Sequence, residues 1–216
     1  MSALRIAGLR PLVHATPLQP VDMDLDGGAI VLLSGPSGAG KSLLLRAIAD
    51  LDPNAGEVFL DGAARSDMRP TEWRRRVGLL PAESGWWGER VSDHFPPPAG
   101  GAAEWLVPTL LSTLGFGTDV LDWEVLRLST GERQRLALAR LLANGPEALL
   151  LDEATANLDP ANRERAEALI MEYRDQHGAP VLWVSHDPDQ RARLATATGG
   201  RRLVIADHRL CPEDDA

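Results

Sequence analysis

Residues 35–42 read GPSGAGKS, and their types and spacing suit the holding of phosphate. Gly35, Gly38 and Gly40 permit a tight loop whose N–H groups turn inward around anionic oxygens. Lys41 brings a cation to the same place, and Ser42 brings a hydroxyl able to ligate Mg²⁺. The pattern G-x-x-x-x-G-K-[ST] is met at every specified position, with Pro36, Ser37 and Ala39 between the glycines and Leu43 opening the apolar run that follows. Asp152-Glu153, at the end of LLLDE, supplies one carboxylate for a metal ion and one that can take a proton from water. A solvated Asp-Glu pair closing a strand is the plainer alternative. His186, in VSHDP, is either a neutral-range proton group or a loop residue beside a helix cap. Ser129-Thr130-Gly131-Glu132 precedes a basic, leucine-rich helix. It fits a capping box, and it equally fits a helix start open to an anion.

These groups need elements to hold them. GAIVLLS (28–34) is a near-continuous apolar run, the mark of a strand buried on both faces, and it leads into the glycine loop and the helical run LLLRAIADL. EALLLDE (147–153) and APVLWVSHD read the same way, so three buried strands each end in one of the chemical motifs. ALRIAGL, GEVFLDG (56–62, ending in an Asp-Gly turn) and RRVGLL (75–80) are further strands, and RRLVIAD is expected to be the last. DPANRERAEALIMEYRDQ is a helix with Asp159 as N-cap and Pro160 at N1; Ala166, Leu169, Ile170 and Tyr173 form its buried stripe. Alternating strands and helices predict an α/β fold around a mainly parallel sheet. Residues 84–124, with Trp86, Trp87, Trp105, Trp123 and the stretch FPPPAGG, break that rhythm and predict a small lobe with short helices around 103–114.

Composition narrows the classes. The chain has 216 residues, 44% of them hydrophobic, enough for one substantial core. A net charge of −9 argues against a general nucleic-acid binder. The single cysteine, Cys211, cannot form an internal disulfide. The start MSALRIAGLRPLV has no long apolar core of a secretory signal, and no apolar run is long enough to span a membrane.

The order of motifs resembles one family, the ATP-binding subunits of ABC transporters. LSGPSGAGKSLLLRAIADLDPNAGEVFLDG is similar to its Walker A region, LSTGERQRLALARLL to its LSGGQ segment, ALLLDEATANLD to Walker B and the D-loop, and VLWVSHD to its switch-histidine segment. The resemblance implies a P-loop NTPase with a RecA-like core, an N-terminal antiparallel β subdomain and a small α-helical subdomain. It implies a division into a nucleotide-binding part (1–83 and 136–216) and a helical part (84–135) that docks on a membrane permease. It implies ATP and Mg²⁺ as ligands, with residues 35–43 around the phosphates, Ser42 and Asp152 toward the metal, Glu153 as general base and His186 at the γ-phosphate. Two cassettes would pack head to tail, Ser129 and Gly131 of one facing ATP held by the other, with Asp159 at the interface. The expected location is cytoplasmic, against the inner face of a membrane through the permease. Soluble cassette ATPases acting on nucleic acid or ribosomes, and P-loop kinases of small molecules, are the alternatives.

The sequence departs from the family at four places. LLPAES sets Ala82 or Glu83 where a glutamine is usual; Thr130 replaces a glycine; Glu132 replaces a glutamine, with Arg133 and Arg135 near enough in sequence to offset its charge. For the adenine-stacking ring only His14 is at hand. GERVSDHF (88–95) is loosely similar to an exporter-type pattern, and Trp86, Trp87 and Phe95 either form an apolar docking patch or core the small lobe.

Overall fold

A computed structural model of the chain describes residues 2–13, 18–97 and 106–213. His14 and Trp105 lie outside these residues. Two sheets organise the rest. The first is antiparallel and built from β1 (Leu4–Pro11), β2 (Val21–Leu25), β4 (Asn54–Leu60) and β5 (Ala63–Ala64), in the order β2-β1-β4-β5. The Asp-Gly turn joins β4 to β5, with φ of 53° at Asp61 and 78° at Gly62.

The parallel strands of the second sheet are β3 (Ile30–Ser34), β6 (Val77–Leu80), β7 (Ala148–Asp152), β8 (Val181–Val184) and β9 (Arg201–Ala206). RRLVIAD is not the last strand. The chain turns at Asp207-His208, both at positive φ, and β10 (Arg209–Pro212) returns antiparallel. The order across the sheet is β10-β9-β3-β8-β7-β6. Every residue of β3, β7 and β8 is buried, as their unbroken apolar runs require. Alternate residues serve opposite layers. Leu32, Leu149, Leu151 and Trp183 enter one core, while Val31, Leu33, Leu150 and Leu182 enter the other.

Among the described residues, six helices cover the sheets: α1 (Lys41–Ile48), α2 (Pro70–Arg76), α3 (Leu106–Thr113), α4 (Thr130–Ala143), α5 (Pro160–His177) and α6 (Pro188–Thr198). Arg75 and Arg76 belong to α2, so the strand read at 75–80 begins only at Val77. Trp73 explains why so short a helix holds: it is wholly buried and its indole N–H donates to Ile48 O at 2.9 Å. Asp159 caps α5 through Asn162 N–H, and Ala166, Leu169, Ile170 and Tyr173 are buried as the 3.6-residue stripe predicts. Residues 84–97 and 106–129 form no sheet; they comprise α3, short 3-10 turns and one isolated bridge, Arg90 to Glu124. The helix α4 runs without a break through residue 135.

Candidate active site

Parallel register brings the three chemical motifs to one edge. Leu33 pairs with Val184, and Asp152 pairs with Val184 from the other side, so β3, β8 and β7 end side by side. The crevice beyond the carboxyl ends of such strands is where ligands bind in open α/β sheets. A cavity of about 230 Å³ lies there, between the glycine loop and the ends of β6, β7 and β8.

The loop forms its near wall through Ser37, Gly38, Gly40, Lys41, Ser42 and Leu43. Gly35, Pro36 and Ala39 shape the loop instead. Gly35 has φ 137°, and a Cβ there would sit 2.7 Å from the carbonyl oxygen of Ile205, so the loop passes hard against β9. Ala39 packs against the core beneath α1. Gly40 caps α1 with φ 98° and no side-chain hydrogen bond, which leaves the first N–H groups of that helix to an anion. The buried Lys41 ammonium donates to Gly35 O at 2.8 Å and Pro36 O at 2.9 Å. Burial pushes its ionisation down, while Glu153 and Asp152 pull it up.

The far wall is acidic. Asp152 closes β7, and Glu153 follows at φ 51°, a left-handed conformation uncommon for a residue with a side chain. Its N–H donates to Val184 O at 3.1 Å, which ties the turn to β8. His186 Nε2 stands 3.2 Å from Glu153 Oε1. Burial moves the Glu153 carboxyl upward; the neighbouring His186 opposes this and Asp152 adds to it, and the direction stays upward. A carboxylate poised this way is a better proton acceptor than a solvated one. Ser42 and Asp152 both line the cavity and offer hard oxygens. Among the described residues no cluster of three His, Cys, Asp or Glu makes a metal cage. That donor set suits a small divalent ion which takes one or two protein oxygens and completes its sphere from phosphate and water.

At the place of the usual glutamine, Ala82 lines the cavity and Glu83 is exposed. The wall there is a methyl group. Ser129 and Gly131 are not among the cavity's lining residues; Ser129 is exposed at the start of α4. The capping box is complete: Ser129 Oγ accepts Glu132 N–H at 3.3 Å, and Glu132 Oε2 accepts both Ser129 N–H (2.8 Å) and the hydroxyl (2.7 Å). Those two donors hold the Glu132 carboxyl below the usual range. Arg133 and Arg135 donate to the carbonyls of Val125 and Leu114.

The aromatic residues divide. Trp87 is 75% exposed, whereas Trp86 and Phe95 pack partly against the core. His94 is buried between the two tryptophans, its Nε2 accepting the N–H groups of Trp87 (2.8 Å) and Gly88 (2.9 Å). The Arg140 guanidinium lies over both indoles, 4.8 and 5.1 Å from the ring centroids. A second cavity of about 290 Å³ opens between this cluster, the end of β6 and α4. Gln190 and Thr155, which no motif singled out, prove to be wired to the turns carrying His186 and Glu153.

The family described as "ABC transporter" matches residues 18–156. Protein STAR1 of Oryza sativa subsp. japonica is 38% identical over 183 residues, covering 82% of this chain; the chain spans about half (53%) of that protein. The probable iron export ATP-binding protein FetA of Escherichia coli (strain K12) is 32% identical over 184 residues, 80% of this chain and 79% of that one. The lipoprotein-releasing system ATP-binding protein LolD 1 of Caulobacter vibrioides is 34% identical over 208 residues, 89% and 86% respectively. A bacterial Atm1-family ABC exporter with ATP bound superposes with a TM-score of 0.80 at 23% identity, over 97% of this chain and 38% of that one, a likeness of fold. The matched residues take in the phosphate loop, the helix-start segment and the acidic strand end, and the chain belongs to the ABC transporter family as an ATP-binding subunit on a P-loop NTPase fold.

Proposed function

We propose that two cassettes of this kind, most simply two copies of this chain, close head to tail on ATP and hydrolyse it to drive a membrane permease. The observation that carries the reading is the convergence of Lys41, Ser42, Asp152, Glu153 and His186 on one cavity at the ends of three adjacent strands.

The loop N–H groups, the first turn of α1 and Lys41 hold the β- and γ-phosphates. Ser42 and Asp152 are the residues that would hold Mg²⁺, which when bound neutralises charge on the phosphate oxygens. A water molecule attacks the γ-phosphorus as its proton passes to Glu153, and ADP leaves with the electrons of the broken P–O bond. His186 orients that water and the γ-phosphate. Ser129 and Gly131, at the start of α4 and absent from their own chain's cavity, complete the site of the second copy; a two-fold pair makes both sites alike.

No helix among the described residues is long and apolar enough to cross a membrane. A permease is the partner that would confer a membrane role. The lobe at 84–135 docks it, through exposed Trp87 and the cavity beside Arg140. Of the relatives, one is named for iron export and another for lipoprotein release.

Glu153→Gln tests the reading. The variant should bind ATP, lose turnover and accumulate a closed pair by light scattering under saturating Mg-ATP. Hydrolysis at the parent rate refutes the base assignment, and monomers throughout, even with the permease present, refute the pairing.

A further inference from the structure

Gln190, in the first turn of α6, is 4% exposed, and both polar atoms of its side chain are engaged. Its Oε1 accepts the Ser185 hydroxyl at 2.6 Å. Its Nε2 donates to Thr155 Oγ1 at 2.7 Å and to Glu167 Oε1 at 2.6 Å. Three elements therefore meet on one amide: the residue before His186, the residue two after Glu153, and the middle of α5.

The grip on Ser185 is double. Its Oγ also accepts Asp187 N–H at 3.1 Å, so the hydroxyl spans both flanks of His186. Its carbonyl oxygen accepts Arg191 Nη1–H at 2.9 Å. Glu213 holds Arg191 at 2.7 Å and takes the Ser34 hydroxyl at 3.0 Å, one residue before the phosphate loop. Asp187, capping α6, pairs with Arg163 at 2.9 Å. The His186 ring itself is about half exposed (54%) and faces Glu153 at 3.2 Å. With so open a ring, the backbone on either side of it must set its place.

We infer that Gln190 is a positioning residue for hydrolysis: its amide locks the Ser185–Asp187 segment to the Glu153–Thr155 turn and so fixes the distance between His186 and Glu153. This rests on the function proposed above. An amide suits the place because it alone offers an acceptor and two donors in one rigid plane. A carboxylate would have no proton for Thr155 and would confront Glu167. A thioether of the same length would make none of the three bonds.

The exchange of roles with Glu167 separates positioning from mere filling of the interior. Gln190→Met should lower kcat for ATP about tenfold or more, with Kd for ATP within about twofold of the parent, because ångström-scale misplacement costs the reaction more than the binding. Gln190→Glu sets a second carboxylate against Glu167, which Arg193 holds at 2.7 Å, and should be at least as slow. Gln190→Glu with Glu167→Gln keeps one amide and one carboxylate at the crossing and should return to within about threefold of the parent. Parent-like kcat in Gln190→Met, an equal loss in Kd, or a double exchange no faster than Gln190→Glu would overturn the inference. If the parent chain shows no turnover, that counts against the proposed function. The His186 ring resonances then test positioning alone: displaced in Gln190→Met as expected, or unmoved, which overturns it.

Discussion

Replacing Glu153 by glutamine should stabilise the fold while it removes the chemistry. Burial displaces the ionisation of this carboxyl upward, Asp152 reinforces the displacement, and the attraction of His186 and Lys41 does not reverse it. The unfolded chain releases the proton near the ordinary value of 4.5, and the folded chain keeps it to higher pH. Between the two the folded state binds more protons, so this group's contribution falls as pH rises through that window and stays unfavourable above it. Glutamine carries no such penalty. Each tenfold difference in proton affinity between folded and unfolded chain corresponds to about 1.4 kcal/mol. A protein of this size changes Tm by about 2–4 °C per kcal/mol, so each such factor yields about 3–6 °C at pH 8. The gain should shrink to nothing as pH falls below the window, where the parent carboxyl is itself neutral. The φ of 51° adds a separate term that glutamine keeps and glycine relieves. Glu153→Gly should therefore differ from Glu153→Gln by about 1 kcal/mol of backbone relief, independent of pH. Scanning calorimetry of parent and both variants from pH 4 to 8, without nucleotide, measures these terms. A Tm difference between glutamine variant and parent that is constant with pH, or that declines as pH rises, refutes the burial argument.

Four further substitutions probe the loop and the helix start. Gly35→Ala places a Cβ 2.7 Å from Ile205 O at a φ of 137° and should cost about 3 kcal/mol or more, whereas Gly38→Ala, at φ 77° with nothing within 4 Å, should cost about 1 kcal/mol; urea titration of both decides. Lys41→Ala should lose ATP binding by more than about tenfold, since it removes a charge-assisted contact to phosphate, and unchanged affinity in calorimetry counts against the phosphate-loop assignment. Glu132→Gln removes a carboxylate that occupies the Ser129 hydroxyl and N–H, and should strengthen ATP-dependent pairing about fivefold or more in sedimentation, because bonds to a charged acceptor are worth about 1.5–3 kcal/mol.

The site was legible where chemistry is written in consecutive residues. GPSGAGKS, LLLDE and VSHD each join an unbroken apolar run to a polar end, and a strand buried on both faces has no other way to be spelled. Short elements gave too little pattern. The strand β2 spans five residues, and α2 spans seven of which only Trp73 is buried. Ala82 and Glu83 could not be told apart because β6 ends at Leu80, and beyond it the alternation that assigns a side no longer applies. Gln190 was invisible for a different reason: two of its three partners lie 35 and 23 residues away, and a buried amide carries no local signature.

The proposed binding groups of this chain are engaged with their own chain, and that bears on how ATP would do work. Lys41 gives its protons to Gly35 and Pro36, and Ser129 gives its hydroxyl and N–H to Glu132. A phosphate arriving at either place exchanges one set of hydrogen bonds for another, so net affinity is far below the gross strength of the contacts. The two exchanges differ in kind. Lysine trades neutral carbonyls for charged phosphate oxygens, a clear gain, and one cassette can make that trade alone. In the proposed pair, Ser129 would leave a carboxylate for another anion, nearly an even trade, on a surface that meets nucleotide only when a second cassette approaches. Binding to one copy would therefore be firm and closure of two copies finely balanced. In the proposed pair, a balanced closure is the step that a docked permease, or hydrolysis, would tip in either direction.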